Sequence, residues 1–340
     1  MSKLLAKRDS YYVAAFFFIV LALLVYTFFT PNNYSQPEPV TFEIKRGETI
    51  NSMIDSLYEH GIIPGRVNMR AVGFILGGGR TIKAGRYLIP NGLSYIELLE
   101  LFILGKREVP LLIDIYPGIT IFEAAHQLQE KINLDSAGVI RLCHDKIFMN
   151  KLGISAPSLE GYLIPGSYYF YRNTPAKEIF QKINIEFNKF FTDSLKQRAR
   201  NVRLSATEVL TIASIIEGES TKPDEYSTIA GVYYNRLNKG MKLQADPTVQ
   251  YARMGKWKRL YNSDLDINSP YNTYMNFGLP PGPINNPCRA AIVAALYPAH
   301  HEYIYFVADG SGGHKFSSTY NQHLKLVNQY RQWLKKQTSR

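Results

Sequence analysis

Cysteine is nearly missing from this chain: Cys143 and Cys288 are the two among 340 residues. So small a supply excludes a disulfide-built scaffold, and their separation matches neither a metal site nor a redox pair; both are expected as unpaired, buried thiols. Tryptophan is equally scarce, so Tyr (24) and Phe (18) carry the aromatic content. His300, His301 and His314 lack the helical spacing of a metal pair and are expected on surfaces or turns, with no metal or other cofactor called for. No long basic run or nucleic-acid motif accompanies the net charge of +11. The scattered Lys and Arg therefore read as a solvated basic surface, and nucleic acid is excluded as a partner. Gly77-Gly78-Gly79 is not followed by Gly-Lys-Ser/Thr, which excludes a phosphate loop and leaves a flexible turn.

Charge, glycine and proline are also missing from Tyr11 to Phe29. That apolar and aromatic run, at about 1.5 Å per residue, is just long enough to span the hydrocarbon core of a bilayer. Lys3, Lys7 and Arg8 precede it, and no Lys or Arg follows before Lys45. The asymmetry predicts a cytoplasmic tail at 1–10, a single transmembrane helix at 11–29 and the remainder outside. Tyr26-Thr27-Phe28-Phe29 is too bulky for a signal-peptidase site, so the anchor is expected to stay uncleaved. Pro31, Pro37 and Pro39 mark a stiff linker over 30–40.

Residues 41–190 carry a twofold pattern. In the first copy, strand Thr41–Ile44 leads through Gly47 and Thr49 into a helix bearing Ile50, Ile54, Leu57 and Tyr58. Gly85-Arg86-Tyr87-Leu88-Ile89-Pro90 and a helix from Tyr95 to Leu104 follow. In the second, strand Leu111–Ile115 leads through Gly118 and Thr120 into a helix bearing Ile121, Ala125 and Leu128. Gly161-Tyr162-Leu163-Ile164-Pro165 reads as its return strand, before a helix from Ala176 to Phe191. Each Thr sits where a helix N-cap belongs. The order strand, capped helix, helix, strand resembles a LysM-type glycan-binding module, and a generic α+β spacer accounts for it equally.

From residue 203 the chemistry changes. Ser205 and Glu208 fit a capping box, and Val209–Ile216 is apolar on nearly every face, which indicates a helix buried in a core. Glu217-Gly218-Glu219-Ser220 then places two carboxyls at the end of that helix. Burial makes a carboxylate costly, so the group holds its proton toward neutral pH and can donate it, as glycosidase acids do. Residues two apart on a helix point to nearly opposite sides, so one glutamate faces a cleft and the other is structural at most. Downstream, amide, hydroxyl and aromatic groups sit on Pro/Gly-rich loops, chemistry suited to orienting a sugar. A final amphipathic helix carries Leu324, Val327, Tyr330 and Leu334, after a strand from Tyr303 to Val307.

The stretches Ala213–Glu219, Asn235-Arg236-Leu237, Leu243–Thr248, Tyr271-Asn272-Thr273-Tyr274, Gly278–Ile284 and Tyr305–Gly310 with Gly313-His314 resemble the endolytic murein transglycosylase family (MltG, YceG-like). The resemblance implies an α+β chain with one N-terminal transmembrane helix, a LysM-like subdomain at 41–108, a second LysM-like or α+β subdomain at 109–200, and a mainly helical lysozyme-like catalytic domain at 201–340. It implies single-pass residence in the inner (cytoplasmic) membrane, with the catalytic domain periplasmic or otherwise extracytoplasmic. Peptidoglycan glycan strands are the implied substrate, and membrane peptidoglycan synthases (penicillin-binding proteins) the implied partners.

The implied reaction is a polysaccharide lyase step at the MurNAc-β-1,4-GlcNAc bond of nascent strands. The catalytic glutamate of the family maps onto Glu219. Gln244, Asn272 and Tyr274 are candidates for positioning substrate, and Glu217, Asp246 and Thr248 complete the candidate substrate-binding set. Hydrolytic glycosidases use two carboxyls. A lytic transglycosylase lets the C6 hydroxyl of the sugar attack C1, so one group serves as acid and then base. The product is a 1,6-anhydroMurNAc end, and strand elongation stops. A muramidase hydrolysing the same bond would need Asp246 or Glu217 as its second carboxylate. A non-catalytic wall-binding scaffold would tolerate substitution at Glu219.

Overall fold

A computed structural model describes residues 2–29, 31, 39–77, 82–105, 110–172, 174–253 and 258–338, with the side chains of 2–10, 24, 27 and 338 outside that description. The backbone divides into two compact units, Met1–Val109 and Pro110–Arg340.

The first unit opens with helix α1 (Ser2–Phe29). Its described side chains from Tyr11 to Phe29 are exposed except Phe28, which packs against the core of this unit. Among the described residues no helix is long and apolar enough to cross a membrane. Leu24 and Thr27, within the expected span, lie outside the described side chains, as do Lys3, Lys7 and Arg8 of the expected tail. Most of the expected linker (32–38) and Gly78-Gly79 of the expected turn also fall outside the described residues.

Then come β1 (Val40–Ile44), α2 (Ile50–Glu59), α3 (Arg66–Gly77), β2 (Gly85–Ile89) and α4 (Tyr95–Leu104). Thr49 caps α2 by accepting the Ser52 N–H, as its position predicted. β1 and β2 pair antiparallel, with Phe42 opposite Tyr87. Both rings point inward, joining Met53, Ile54, Leu57, Leu98 and Phe102 in a core of its own.

The second unit begins with the same sequence of events. β3 (Leu111–Ile115) leads to α5 (Ile121–Ile132), α6 (Ser136–Cys143) and α7 (Lys146–Lys151) before β4 (Gly166–Phe170). Thr120 and Glu123 form a full capping box on α5. β3 and β4 pair antiparallel in a register that repeats the first pair: Ile113 faces Tyr168 as Phe42 faces Tyr87, and Ile115 faces Gly166 as Ile44 faces Gly85.

The expected return strand at Gly161–Pro165 is therefore displaced to Gly166–Phe170. Residues 161–164 form a buried turn instead. Gly161 takes φ +85° and lies where a Cβ would meet Pro283 at 2.5 Å. Its N–H and that of Leu163 go to Asn286 Oδ1, both at 2.9 Å, so neither is available to a strand ladder.

α8 (Ala176–Phe190) and α9 (Asp193–Asn201) lead into α10 (Ala206–Glu219). Ser205 and Glu208 form the expected capping box, and every residue from Val209 to Ile216 is buried. Around α10 stand α11 (Pro223–Asn238), α12 (Asp246–Ala252) and α13 (Arg289–Leu296), then the antiparallel hairpin β5 (Tyr305–Ala308) with β6 (His314–Ser317) and the last helix α14 (Tyr320–Thr338). β5 starts two residues after the predicted Tyr303. One continuous apolar core runs from Ile113 through Phe187, Leu210 and Ile216 to Leu296, so the segments 109–200 and 201–340 share it. Cys143 is a buried free thiol, whereas Cys288 is free and half-buried.

Candidate active site

α10 carries its helical hydrogen bonding through Gly218 to Glu219 and stops at Ser220, which is extended (φ −142°, ψ 146°). Helical geometry through 217–219 sends the two carboxyls to different sides.

Glu217 Oε2 accepts the Cys288 N–H at 2.9 Å, and the Tyr226 hydroxyl lies 3.5 Å from Oε1. Cys288 is the N-cap of α13, so Glu217 supplies negative charge and an acceptor at the start of that helix. Burial, with the neighbouring Glu217, lifts the Cys288 thiol to about 11, which makes it a poor nucleophile. Glu217 thus docks α13 onto α10.

Glu219 turns toward α11, where the Tyr233 hydroxyl donates to its Oε1 at 2.6 Å. The residue is half-buried. Packing is dense enough that desolvation pushes the carboxyl up to about 7, helped by the charge of Asp246 and opposed by the Tyr233 bond and by Arg236. Tyr233 is in turn held well above its ordinary value by burial and by Glu219, so it stays a donor. The Arg236 guanidinium donates to the carbonyls of Ile304 (2.7 Å) and Leu243 (2.6 Å), which fixes a buried cation beside the site.

The other predicted residues separate by role. Asp246, exposed at the start of α12, accepts the Tyr274 hydroxyl at 2.6 Å on Oδ1. Gln244 is exposed and takes φ +48°, a left-handed conformation that a non-glycine residue holds at some cost, while its N–H donates to the Thr273 carbonyl. Asn272 is fully buried: its Nδ2 donates to the carbonyls of Leu265 and Ile267, and its Oδ1 accepts the Tyr274 N–H. Thr248 is also fully buried and bonds Ala245 and Thr273. The structure thus brings Asp246 and Tyr274 to the Glu219 side. It places Asn272 and Thr248 beneath them as loop supports, and Glu217 on the opposite side of the helix.

The sequence pattern assigned no site role to Tyr233, Arg236, Glu225 or Glu160. Tyr233 and Arg236 lie three apart on α11, so they share a helix face; an arginine among apolar positions was the available signal. His314, expected on a surface or turn, is half-buried: its Nδ1 lies 2.8 Å from Glu225 Oε2 and its N–H donates to Glu225 Oε1. Glu225 also faces Ser220 Oγ at 3.4 Å, so this clasp ties the β5–β6 hairpin to the turn following Glu219. Glu160 is a second carboxyl, fully buried, bound by the Ile121 N–H and by Asn286 Nδ2 at 2.8 Å. Among the described residues no group of three or more His, Cys, Asp or Glu is placed to hold a metal ion.

Residues 42–329 match the family pattern described as YceG-like. The chain belongs to this family. An endolytic murein transglycosylase of Bacillus subtilis is 33% identical over 268 residues, which is 74% of each chain. One from Streptococcus pneumoniae is 30% identical over 265 residues, 68% of this chain and 47% of that longer protein. A crystal structure of a YceG-like protein from Listeria monocytogenes superposes with a TM-score of 0.59 at 30% identity, covering 86% of this chain and 99% of the other. As a YceG-like protein, the chain has mixed helix and strand with small two-stranded sheets.

Proposed function

We propose that this chain is an endolytic peptidoglycan lytic transglycosylase, cutting MurNAc-β-1,4-GlcNAc bonds inside nascent glycan strands without water and leaving 1,6-anhydroMurNAc ends. The observation that carries the reading is Glu219: one carboxyl near pKa 7 at the end of a buried helix, with Oε1 engaged by Tyr233. Relatives carrying the name endolytic murein transglycosylase support the reaction class.

With Oε1 accepting from Tyr233, the transferable proton sits on Oε2. Glu219 gives it to the glycosidic oxygen as the C1–O bond breaks and the GlcNAc side leaves as an alcohol. The carboxylate then takes the proton of the C6 hydroxyl as O6 bonds to C1. The acid is regenerated and no water enters. Asp246 and Tyr274 line the approach to Glu219, and Gln244 stands exposed two residues before Asp246. A muramidase reading has one observation in its favour, the charge of Asp246 acting on Glu219. Mass spectrometry of released glycan fragments separates the two: anhydro ends support the transglycosylase, and reducing MurNAc ends overturn it.

The same reading assigns α1 as a single-pass anchor in the inner membrane, N-terminus cytoplasmic, supported by the exposed apolar side chains from Tyr11 to Phe29. The two strand–helix–helix–strand segments are proposed as LysM-like modules that hold the strand, supported by their shared register. Peptidoglycan synthases are the proposed partners, because nascent strands are met where they are made.

A further inference from the structure

Phe277 is 70% exposed on the loop after Tyr274. A lone exposed apolar side chain is ordinary; this one is held in place. The Lys242 ammonium lies 5.2 Å from the ring centroid and donates to the Tyr274 carbonyl at 3.0 Å. The hydroxyl of the same Tyr274 donates to Asp246, whose charge acts on Glu219. Phe277 is thus linked to the acid through Lys242, Tyr274 and Asp246. Its backbone is fixed on both sides: Asn276 Nδ2 donates to the carbonyls of Ser269 and Asn272, and Gly278 takes φ +78° before Pro280 and Pro281. Met275, two residues earlier on the same loop, is 49% exposed.

We propose that the open face of Phe277, with Lys242 behind it, is a glycan subsite on which an N-acetylated hexose of the strand stacks its C–H face, away from the bond that is cut. An aromatic ring presents a large apolar surface with little side-chain entropy to lose, and its face attracts polarised C–H groups. Lys242 has three N–H donors, one of which holds Tyr274, so the ammonium also offers charge to sugar hydroxyls or to a stem carboxylate. The subsite rests on the transglycosylase reading and deepens it, since it names a residue that sets strand affinity.

The test compares the full-length chain in detergent with Phe277→Ala and Phe277→Tyr, on uncrosslinked glycan strands, scoring anhydro ends and thermal melts. Phe277→Ala should raise KM roughly tenfold and lower kcat by much less, with an unchanged melt, and Phe277→Tyr should return KM to within about twofold. An unchanged KM in Phe277→Ala, or a kcat loss alone, would overturn the subsite and assign the ring to loop packing. Calorimetry with the same strands in a Glu219→Gln background separates this from the function itself. Weaker binding on Phe277→Ala without any anhydro product from wild type keeps the subsite and sinks the reaction. Anhydro product with unaltered binding does the reverse.

Discussion

The Tyr233 hydroxyl donates to Glu219 Oε1 across 2.6 Å, joining the last residue of α10 to the middle of α11. The bond favours the ionised carboxylate, while burial and Asp246 favour the acid, and the acid prevails to about pH 7. The site therefore holds a proton that an ordinary glutamate has already lost.

That balance gives two shifts of opposite sign. Activity needs the protonated acid, so kcat/KM should fall as pH rises through about 7. Tyr233→Phe removes a bond to the ionised form and should move this alkaline limb upward. Asp246→Asn removes a like charge and should move it downward. Limbs that move together, or not at all, would dissociate Glu219 from the pH profile.

Glu219→Gln keeps the shape and removes the transferable proton, so anhydro product should fall by roughly 10²–10⁴-fold with little change in melting temperature. Glu217→Gln retains an acceptor for the Cys288 N–H and should stay near wild type. Glu217→Ala, which leaves the α13 terminus uncapped on that side, should cost about 1 kcal/mol of stability. An inactive, well-folded Glu217→Gln would show that the carboxylates have been assigned the wrong way round.

Glu160 is pushed up to about 8, chiefly by burial, from an ordinary 4.5. Native protein keeps a proton there that the unfolded chain gives up. The resulting stability is full below about pH 4.5 and is lost as pH rises through about 8. Glu160→Gln is uncharged at every pH, so its melting temperature should match wild type at pH 5 and exceed it at pH 9. Glu219 adds a loss of the same sign up to about 7 and is common to both proteins. Parallel melting curves across pH would show that Glu160 titrates normally.

Asn286 gathers this region. Its Nδ2 donates to Ile119 O and Glu160, and its Oδ1 accepts from Gly161 and Leu163, all at 2.8–2.9 Å in a fully buried setting. Asn286→Ala strands several buried polar groups, each worth about 1–3 kcal/mol when left unpaired, so a loss near 4 kcal/mol is expected in chemical denaturation. A loss under 1 kcal/mol would mean that water replaces the amide.

The anchor assignment predicts that the full chain stays with membranes after carbonate washing, with α14 open to protease outside the cell membrane. Recovery in the soluble fraction with a new N-terminus near Pro31 would establish a cleaved leader instead.

The sequence alone determined what depends on neighbours along the chain. The Thr49 and Thr120 caps, the Ser205–Glu208 box and the buried α10 all follow from spacings of two to four residues. The opposed directions of Glu217 and Glu219 were legible for the same reason, since helical geometry sets them locally. The tertiary structure decided what each carboxyl meets: Cys288 lies 71 residues from Glu217, and no local pattern ties them. Packing also moved the second return strand to Gly166–Phe170, because Asn286, 123 residues from Leu163, claimed the N–H groups that a strand at 161–165 would have used. It chose Tyr233 as the donor to Glu219 and buried Glu160 where a carboxyl keeps its proton. Burial and long-range hydrogen bonds are properties of the assembled core, and a list of residues holds them only as possibilities.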